Sequence, residues 1–422
     1  MRFFGHVVIN LLVIVTSLIG IELFSFLYLF VDNLAAGQPV KSAYISTVKL
    51  NPVFSPRLFF GNYDPLHRQY LEPDRKFDSL IVNKWGFIGN GHDDRLLDRF
   101  PDKPRGVYRI VLFGGSSGAG VGASSNASTI AAQLEKTLNA HARHPTSSRF
   151  QVLNYGIPGS YTFYELTKYV AEASYLRPDL VVFLDGWNDF ITHVMESSRF
   201  HVPHGMVNWD YLAHQYFELL HGVTVAPDPP PHIFTWSYIV AKKLTTHLIA
   251  PQDGAAQVNR LKVYEHHPLF DFSAHIMQDA AFPGNVYSTN AEAMAAFSIA
   301  KGITFLHYLQ PYPQLGKILT SAEVTAIEEL HAQYEHTYGP DWALSVFTRR
   351  LNEAYIRFQT VQAELAEKYK TKPHVKFYDI TNVFSDIRER TYADIIHYND
   401  RGQELLARRI GSDIQAVIER PR

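Results

Sequence analysis

The chain has 422 residues, 46% of them hydrophobic, a formal net charge of −2 and no cysteine. The near-neutral charge gives no electrostatic case for nucleic acid. The lack of cysteine excludes disulfides, thiolate metal sites and a cysteine nucleophile. The length allows one large domain or two.

The first element is an apolar run from Val7 to Phe30. As a helix it would be about 36 Å long, enough to cross a bilayer and longer than the core of most signal peptides. We therefore predict an uncleaved membrane anchor over residues 1–36. The small residues 34–37 keep cleavage open as an alternative.

The charges around this run predict its orientation. Arg2 precedes it and Asp32 follows it, which favours a single-pass membrane protein with its large domain on the periplasmic or extracellular side. Glu22 lies within the run. It either lies near the outer interface or contacts a helix of a membrane-protein partner.

Residues 37–106 are rich in Pro, Asp and Arg, which predicts a connector and N-terminal extension with one short strand at 80–82. From residue 107 to 419, strands alternate with helices, which predicts an α/β domain with a mostly parallel sheet. The predicted strands are 109–113, 151–153, 179–184, 303–309 and 375–378. The predicted helices are 129–142 with Ser128 as N-cap, 164–175, 291–300, one from 321, 342–369 and one from 400.

Residues 190–289 interrupt this pattern with prolines, histidines and scattered aromatics, including a helical stretch at 233–248. We predict an inserted, lid-like region over the carboxyl edge of the strands, where open α/β sheets bind ligands. The pairs His201/His204 and His266/His267 are interpreted as surface or lid histidines, since no metal-binding motif accompanies them.

A glycine-rich turn follows the first predicted strand of this domain. Residues 114–118 read Gly-Gly-Ser-Ser-Gly and fit the nucleophile elbow, which makes Ser116 the candidate nucleophile and Ser117 an alternative. Residues 118–123 loosely resemble a dinucleotide fingerprint. The end of the second strand carries Asn154 where a dinucleotide enzyme would have an acidic residue, which weakens that interpretation.

Three further segments follow strands or precede the last helix. They are Asn154-Tyr155-Gly156-Ile157-Pro158-Gly159, Gly186-Trp187-Asn188-Asp189 and Asp394-Ile395-Ile396-His397. Because the carboxyl ends of parallel strands meet at one sheet edge, this edge can collect all four blocks. An α/β-hydrolase would place Asp and His well apart, whereas here they are three positions apart.

The four blocks, in this order, resemble those of the SGNH (GDSL-like) hydrolase superfamily over roughly residues 81–417, the insertion excepted. Asn83-Lys84-Trp85-Gly86-Phe87 and Gln310-Pro311 look like segments of its membrane-anchored bacterial members. The resemblance implies a flavodoxin-like three-layer sandwich with a five-stranded sheet. It departs at Gly115, where the family has an aspartate before the nucleophile.

The resemblance also implies the residue roles. Ser116 would be the nucleophile, His397 its general base and Asp394 the residue that orients His397. The oxyanion hole would use the backbone N–H groups of Ser116 and Gly159 and the amide of Asn188. Neither a metal nor a cofactor is expected.

These roles predict a serine-dependent ester hydrolase that forms an acyl-enzyme outside the cytoplasm. The expected substrate is an O-acylated glycan, or otherwise a lipid ester. The same residues would also serve an O-acyltransferase, so the sequence leaves that alternative open. A non-catalytic subunit of a membrane complex, docked through its anchor near Glu22, is the alternative from another class.

Overall fold

The computed structural model describes residues 2–35, 79–91, 100–142, 147–192, 282–338 and 340–419, with short pieces at 60–61, 70–71, 73–74 and 76–77 and single residues at 40, 144 and 240. The predicted helix at 233–248, the histidine pairs and almost all of the predicted insertion lie outside these residues. The chain divides into two compact units. One comprises Met1–Leu58 and Asp210–Asp271, and the other comprises Phe59–Trp209 and Phe272–Arg422.

In the first unit the main described element is helix α1, Arg2–Ala35, which contains the predicted anchor. In the described part of the chain, no helix combines the length and apolar character that a membrane crossing requires.

The second unit contains the other strands and helices whose bounds the structure describes. Its short strands are β1 Phe60–Gly61, β2 Tyr70–Leu71, β3 Lys76–Phe77 and β4 Leu80–Ile81, paired as two antiparallel ribbons. The central strands are β5 Val107–Gly114, β6 Arg149–Asn154, β7 Leu180–Asp185, β8 Thr304–Leu309 and β9 Val375–Asp379. The helices are α2 Ser116–Ala119, α3 Ile130–His141, α4 Thr162–Ala171, α5 Trp187–Phe190, α6 Phe282–Lys301, α7 Ser321–Tyr338, α8 Leu344–Lys368 and α9 Asp400–Ile418.

The five central strands form one parallel sheet in the order β6-β5-β7-β8-β9. In chain order within the sheet this is 2-1-3-4-5, the flavodoxin-like arrangement, so the predicted sheet is confirmed. The strand order reverses between β5 and β7, and a crevice for ligands is expected at their carboxyl ends. The predicted strands all agree with the observed ones to within two residues at either end.

Helices cover both faces of the sheet. All eight residues of β5 are buried, as expected of a central parallel strand. Val111 and Phe113 point into a core formed with α4, α6 and α8. Ile110 and Leu112 point to the opposite face, where α3 and α9 pack. The result is the predicted three-layer sandwich.

Four helices begin at a residue other than the predicted one; α4 begins two residues earlier and α8 two residues later than predicted. The cap of α3 is Thr129, not Ser128: its hydroxyl accepts a hydrogen bond from Ala132 N at 3.3 Å. Helix α6 begins at Phe282, nine residues before the predicted 291. Buried Tyr287 and Asn290 lie in this extra stretch, so core packing extends the helix beyond what local sequence indicates.

The Asn-x-x-Gly-Phe stretch has a structural role. The side-chain oxygen of Asn83 accepts hydrogen bonds from Trp85 N at 2.9 Å and Phe87 N at 3.4 Å. Gly86 has a φ of +79°, which favours glycine. The turn inserts Phe87 beside Tyr155, with ring centroids 5.5 Å apart. It therefore buttresses the loop after β6, which carries the second sequence block.

Candidate active site

Ser116 lies at the sharp turn between β5 and α2. Gly114 ends the strand with a φ of +154°, and a Cβ there would lie 3.0 Å from Gly118 Cα and 3.1 Å from Leu184 O. The turn closes with hydrogen bonds from Gly120 N and Val121 N to the Ser116 carbonyl, at 3.1 and 3.0 Å. The glycines are therefore needed for the close approach of backbone segments that exposes the serine.

The structure brings three of the predicted site residues together. His397 Nε2 lies 2.7 Å from Ser116 Oγ, although the two residues are 281 positions apart. His397 Nδ1 lies 2.6 Å from Asp394 Oδ2. Both distances are those of hydrogen bonds, so serine, histidine and aspartate form one continuous chain.

The Asp394 carboxylate is held by its own loop. Its Oδ1 accepts hydrogen bonds from the backbone N–H groups of Ile396 at 2.9 Å and His397 at 2.8 Å. Burial by itself would raise the pKa of Asp394, but the His397 side chain and these backbone donors outweigh it and lower the pKa below its usual value. The carboxylate is therefore charged near neutral pH and available to orient the imidazole.

The loop that carries Asp394 and His397 is anchored by a residue that the motifs did not reveal. Glu323 Oε1 accepts hydrogen bonds from the backbone N–H groups of Thr391 at 2.9 Å and Tyr392 at 3.1 Å. Burial would raise the pKa of Glu323, and the backbone donors around it lower the pKa overall. Glu323 is thus a charged anchor close to the catalytic loop.

Lys317 completes this anchor. Its ammonium lies 3.3 Å from Glu323 Oε2, and both side chains are fully buried. It also donates to the carbonyls of Ile387 and Glu389, at 3.2 and 3.0 Å. The sequence did contain a signal, because Thr320 and Glu323 form a capping box at the start of α7. That signal predicts a helix start, and it does not indicate the contact with residues almost seventy positions later.

The serine turn and helix α9 are tied together directly. Ser124 donates to the Asp400 carboxylate from its backbone N–H at 2.7 Å and from its hydroxyl at 2.6 Å. Gln403 Oε1 accepts from Ile130 N at 3.0 Å. These contacts fix the loop after Ser116 against the helix that follows His397.

The three candidate oxyanion donors lie on three different segments, each of which follows a strand of the sheet. Neither the backbone N–H of Ser116 nor that of Gly159 donates to any of the turn and loop backbone hydrogen bonds of the described residues. Gly159 is exposed, with a φ of +80°, in a turn closed by the bond from Ser160 N to Ile157 O at 2.9 Å. Asn188 lies on α5, and its amide donates to the Ser160 carbonyl at 2.6 Å.

The other candidate nucleophile has a different environment. Ser117 is 2% exposed and its hydroxyl interacts with the hydroxyl of Tyr398. Ser116 is only partly buried and is hydrogen-bonded to His397. The geometry therefore favours Ser116 as the nucleophile.

A set of three neighbouring carboxyl groups is buried, and it includes Asp189, the residue after Asn188. Glu165, Asp185 and Asp189 are each at most 2% exposed. Burial raises the pKa of Asp189 to about 7, helped by the neighbouring Asp185 and opposed by a hydrogen bond from Thr162. Burial, with the same two aspartates, raises the pKa of Glu165 well above its usual value. Glu165 and Asp189 are therefore protonated at moderately acidic pH.

Among the residues that the structure describes, no group of three or more His, Asp or Glu side chains is arranged to hold a metal ion.

No family model and no curated protein matches this chain. Thirty-eight chains of solved structures match it. A GDSL-like lipase from Bacteroides thetaiotaomicron has 12% identity and a TM-score of 0.35, with 78% of this chain and 99% of that chain covered. The lipase/acylhydrolase from Enterococcus faecalis has 15% identity and a TM-score of 0.33, with 73% and 95% covered. A psychrotrophic esterase from a Pseudoalteromonas species has 13% identity and a TM-score of 0.34, with 74% and 100% covered. All three are named as ester-cleaving enzymes, and the likeness is a distant one in fold.

Proposed function

We propose that this chain is a serine-dependent ester hydrolase of the SGNH (GDSL-like) type. The observation that carries the proposal is the hydrogen-bonded chain Ser116–His397–Asp394, with links of 2.7 and 2.6 Å, at the carboxyl edge of the sheet. A serine hydroxyl is a weak nucleophile until a neighbouring base takes its proton, and the base needs an orienting carboxylate.

The reaction follows from the placement of these groups. With the Nδ1–H of His397 donated to Asp394, Nε2 accepts the Ser116 proton as Oγ attacks the ester carbonyl carbon. The developing oxyanion is stabilised by the N–H groups of Ser116 and Gly159 and by the Asn188 amide. The tetrahedral intermediate expels the alcohol, which takes the proton from His397. Water, deprotonated by the same histidine, then attacks the acyl-enzyme; as the bond to Ser116 Oγ breaks and the acid leaves, His397 returns the proton to Oγ.

Labelling with a fluorophosphonate probe tests the proposal, with p-nitrophenyl acetate turnover measured in parallel. We expect wild type to be labelled and to turn over the ester, and Ser116→Ala to do neither. Ser117→Ala is the matched control and should retain both. A folded wild-type protein that is not labelled would overturn the hydrolase proposal and favour the non-catalytic subunit.

The finer assignments rest on the resemblance and the N-terminal sequence. We propose an O-acylated glycan as substrate, with a lipid ester second, and an extracytoplasmic location with residues 1–36 as the anchor. Transfer of the acyl group to a sugar hydroxyl instead of water would use the same residues. Product analysis with and without an acceptor sugar separates the two reactions, and fractionation of the full chain beside a deletion of residues 1–36 tests the anchor. If partners co-purify through the Glu22 region, the complex should survive Ser116→Ala and be lost on that deletion.

A further inference from the structure

Gly115 lies directly before the candidate nucleophile, with a φ of −67° and a ψ of −149°. The φ is open to any L-amino acid, whereas the ψ lies outside the main regions allowed to residues with a side chain. Gly114 beside it has a φ of +154° and does need glycine for its backbone. The φ of Gly115 does not require glycine, and its surroundings add a steric requirement of their own.

The space that a side chain at position 115 would fill is already occupied. A Cβ there would lie 2.0 Å from Asn188 Nδ2 and 3.2 Å from Asn188 Cγ. It would also lie 3.0 Å from the Ser160 carbonyl oxygen. Non-bonded heavy atoms settle at about 3.5–4.0 Å, so the Asn188 amide could not keep this position beside any larger residue.

The same amide joins the loops that carry the other two oxyanion donors. Asn188 Nδ2 lies against Gly115, whose peptide supplies the Ser116 N–H. It also donates to the carbonyl of Ser160, the residue after Gly159, at 2.6 Å. One amide hydrogen is engaged by this bond, and the second remains for the substrate oxygen.

We propose that Gly115 is a positioning residue for the oxyanion hole: the absence of its side chain lets the Asn188 amide lie between the Ser116 and Gly159 loops. This inference rests on the proposed ester hydrolysis. The glycine that stands where the family has an aspartate is then matched to the position of the Asn188 amide in this chain. Restoring an aspartate at position 115 should reduce activity rather than raise it.

A double-mutant cycle tests the proposal in the full-length protein, with kcat, KM and thermal unfolding measured for each variant. We expect Gly115→Ala and Asn188→Ala each to lower kcat by about 100-fold with KM changed by less than threefold, since loss of one oxyanion donor typically costs that much. The double variant should be no more than threefold worse than Asn188→Ala alone. Gly115→Asp should be at least as impaired as Gly115→Ala.

Gly411→Ala is the matched control, because a Cβ there would have only ordinary contacts, the nearest at 3.4 Å. It should leave kcat unchanged. If Gly115→Ala fails to fold, the proposal requires that adding Asn188→Ala restores a cooperative unfolding transition. Gly115→Ala with more than a third of wild-type kcat, or independent effects of the two changes, would overturn the proposal. If the wild-type protein has no activity, the hydrolase function is overturned instead. Thermal unfolding of the single and double variants would still test whether a side chain at position 115 displaces the Asn188 amide.

Discussion

The two sides of the candidate site differ in side-chain size and in the direction in which the pKa values of their carboxyl groups are shifted. The serine side consists of Gly115, Ser116, Asn188 and the buried acids near them. It depends on the small size of glycine and on acids whose pKa is raised. The histidine side consists of Asp394, His397 and Glu323. It depends on carboxylates whose pKa is lowered, at Asp394 by the His397 side chain and backbone donors and at Glu323 by backbone donors. Burial raises the pKa of carboxyls on both sides. On the serine side the neighbouring aspartates add to this effect, whereas on the histidine side hydrogen-bond donors outweigh it.

This comparison predicts where each side is sensitive. The histidine side should lose function when a charge or a hydrogen-bond acceptor is removed. The serine side should be sensitive to added bulk and should gain stability when a buried acid is replaced by an amide.

Removal of the base should have the largest effect. We expect His397→Ala to lower kcat by about 10⁶-fold, as in other serine enzymes where the nucleophile and base act as a unit. His336→Ala, at an exposed position on α7, is the control and should behave as wild type. A decrease of less than about 100-fold in p-nitrophenyl acetate turnover would mean that another group takes the Ser116 proton.

Asp394→Asn should lower kcat by about 10⁴-fold, because an amide stabilises the wrong imidazole tautomer. The backbone donors of Ile396 and His397 can still bond to the remaining amide oxygen, so thermal stability should change little. An activity loss matched by unfolding would show that Asp394 mainly holds the loop. Turnover and thermal unfolding on the same preparation separate these outcomes.

Glu323→Gln tests the anchor of the histidine side. Neutralising one partner of a buried ion pair typically costs about 3–5 kcal/mol, here with Lys317 as the charge left behind. We expect a loss of unfolding free energy of this size by urea titration. Glu329→Gln, exposed on the same helix, should have no effect. Equal unfolding free energies of the two variants would show that Glu323 does not anchor the histidine side.

Asp189→Asn should produce the smallest change, and in the opposite direction. The pKa of Asp189 is raised from 3.8 to about 7, so between these pH values the folded protein holds a proton that the unfolded chain has lost. Stability from this group is therefore greatest near pH 4 and falls as pH rises to 7. At about 1.4 kcal/mol per pKa unit, the fall is at most about 4 kcal/mol.

The amide cannot ionise, so Asp189→Asn should flatten this fall. Thermal unfolding at pH 5 and pH 8 measures this fall in stability. The variant should be more stable than wild type at pH 8, and the two proteins should differ less at pH 5. Asp386→Asn, outside the buried set, is the control. An identical pH dependence in wild type and Asp189→Asn would mean that the other buried acids account for the fall.

The sequence predicted the sheet because its central strands are short apolar runs, a pattern set by burial on both faces. It also predicted the chain of Ser116, His397 and Asp394, because the motif order places them at one sheet edge. The Glu323 anchor could not be predicted, since its role depends on a contact with Thr391 and Tyr392 far along the chain. Gly115 was identified as a departure from the family pattern, but its relation to Asn188 required atomic positions.

The contact between Ser124 and Asp400 also bears on how the site forms during synthesis. The base follows its nucleophile by 281 residues, and the helix that carries Asp400 comes later still. At about 5–20 residues per second, a ribosome needs roughly 15–60 s to cover that distance. During this time the nascent chain carries an unactivated serine hydroxyl. The order of the residues therefore delays formation of the Ser116–His397 pair until helix α9 has emerged and docked.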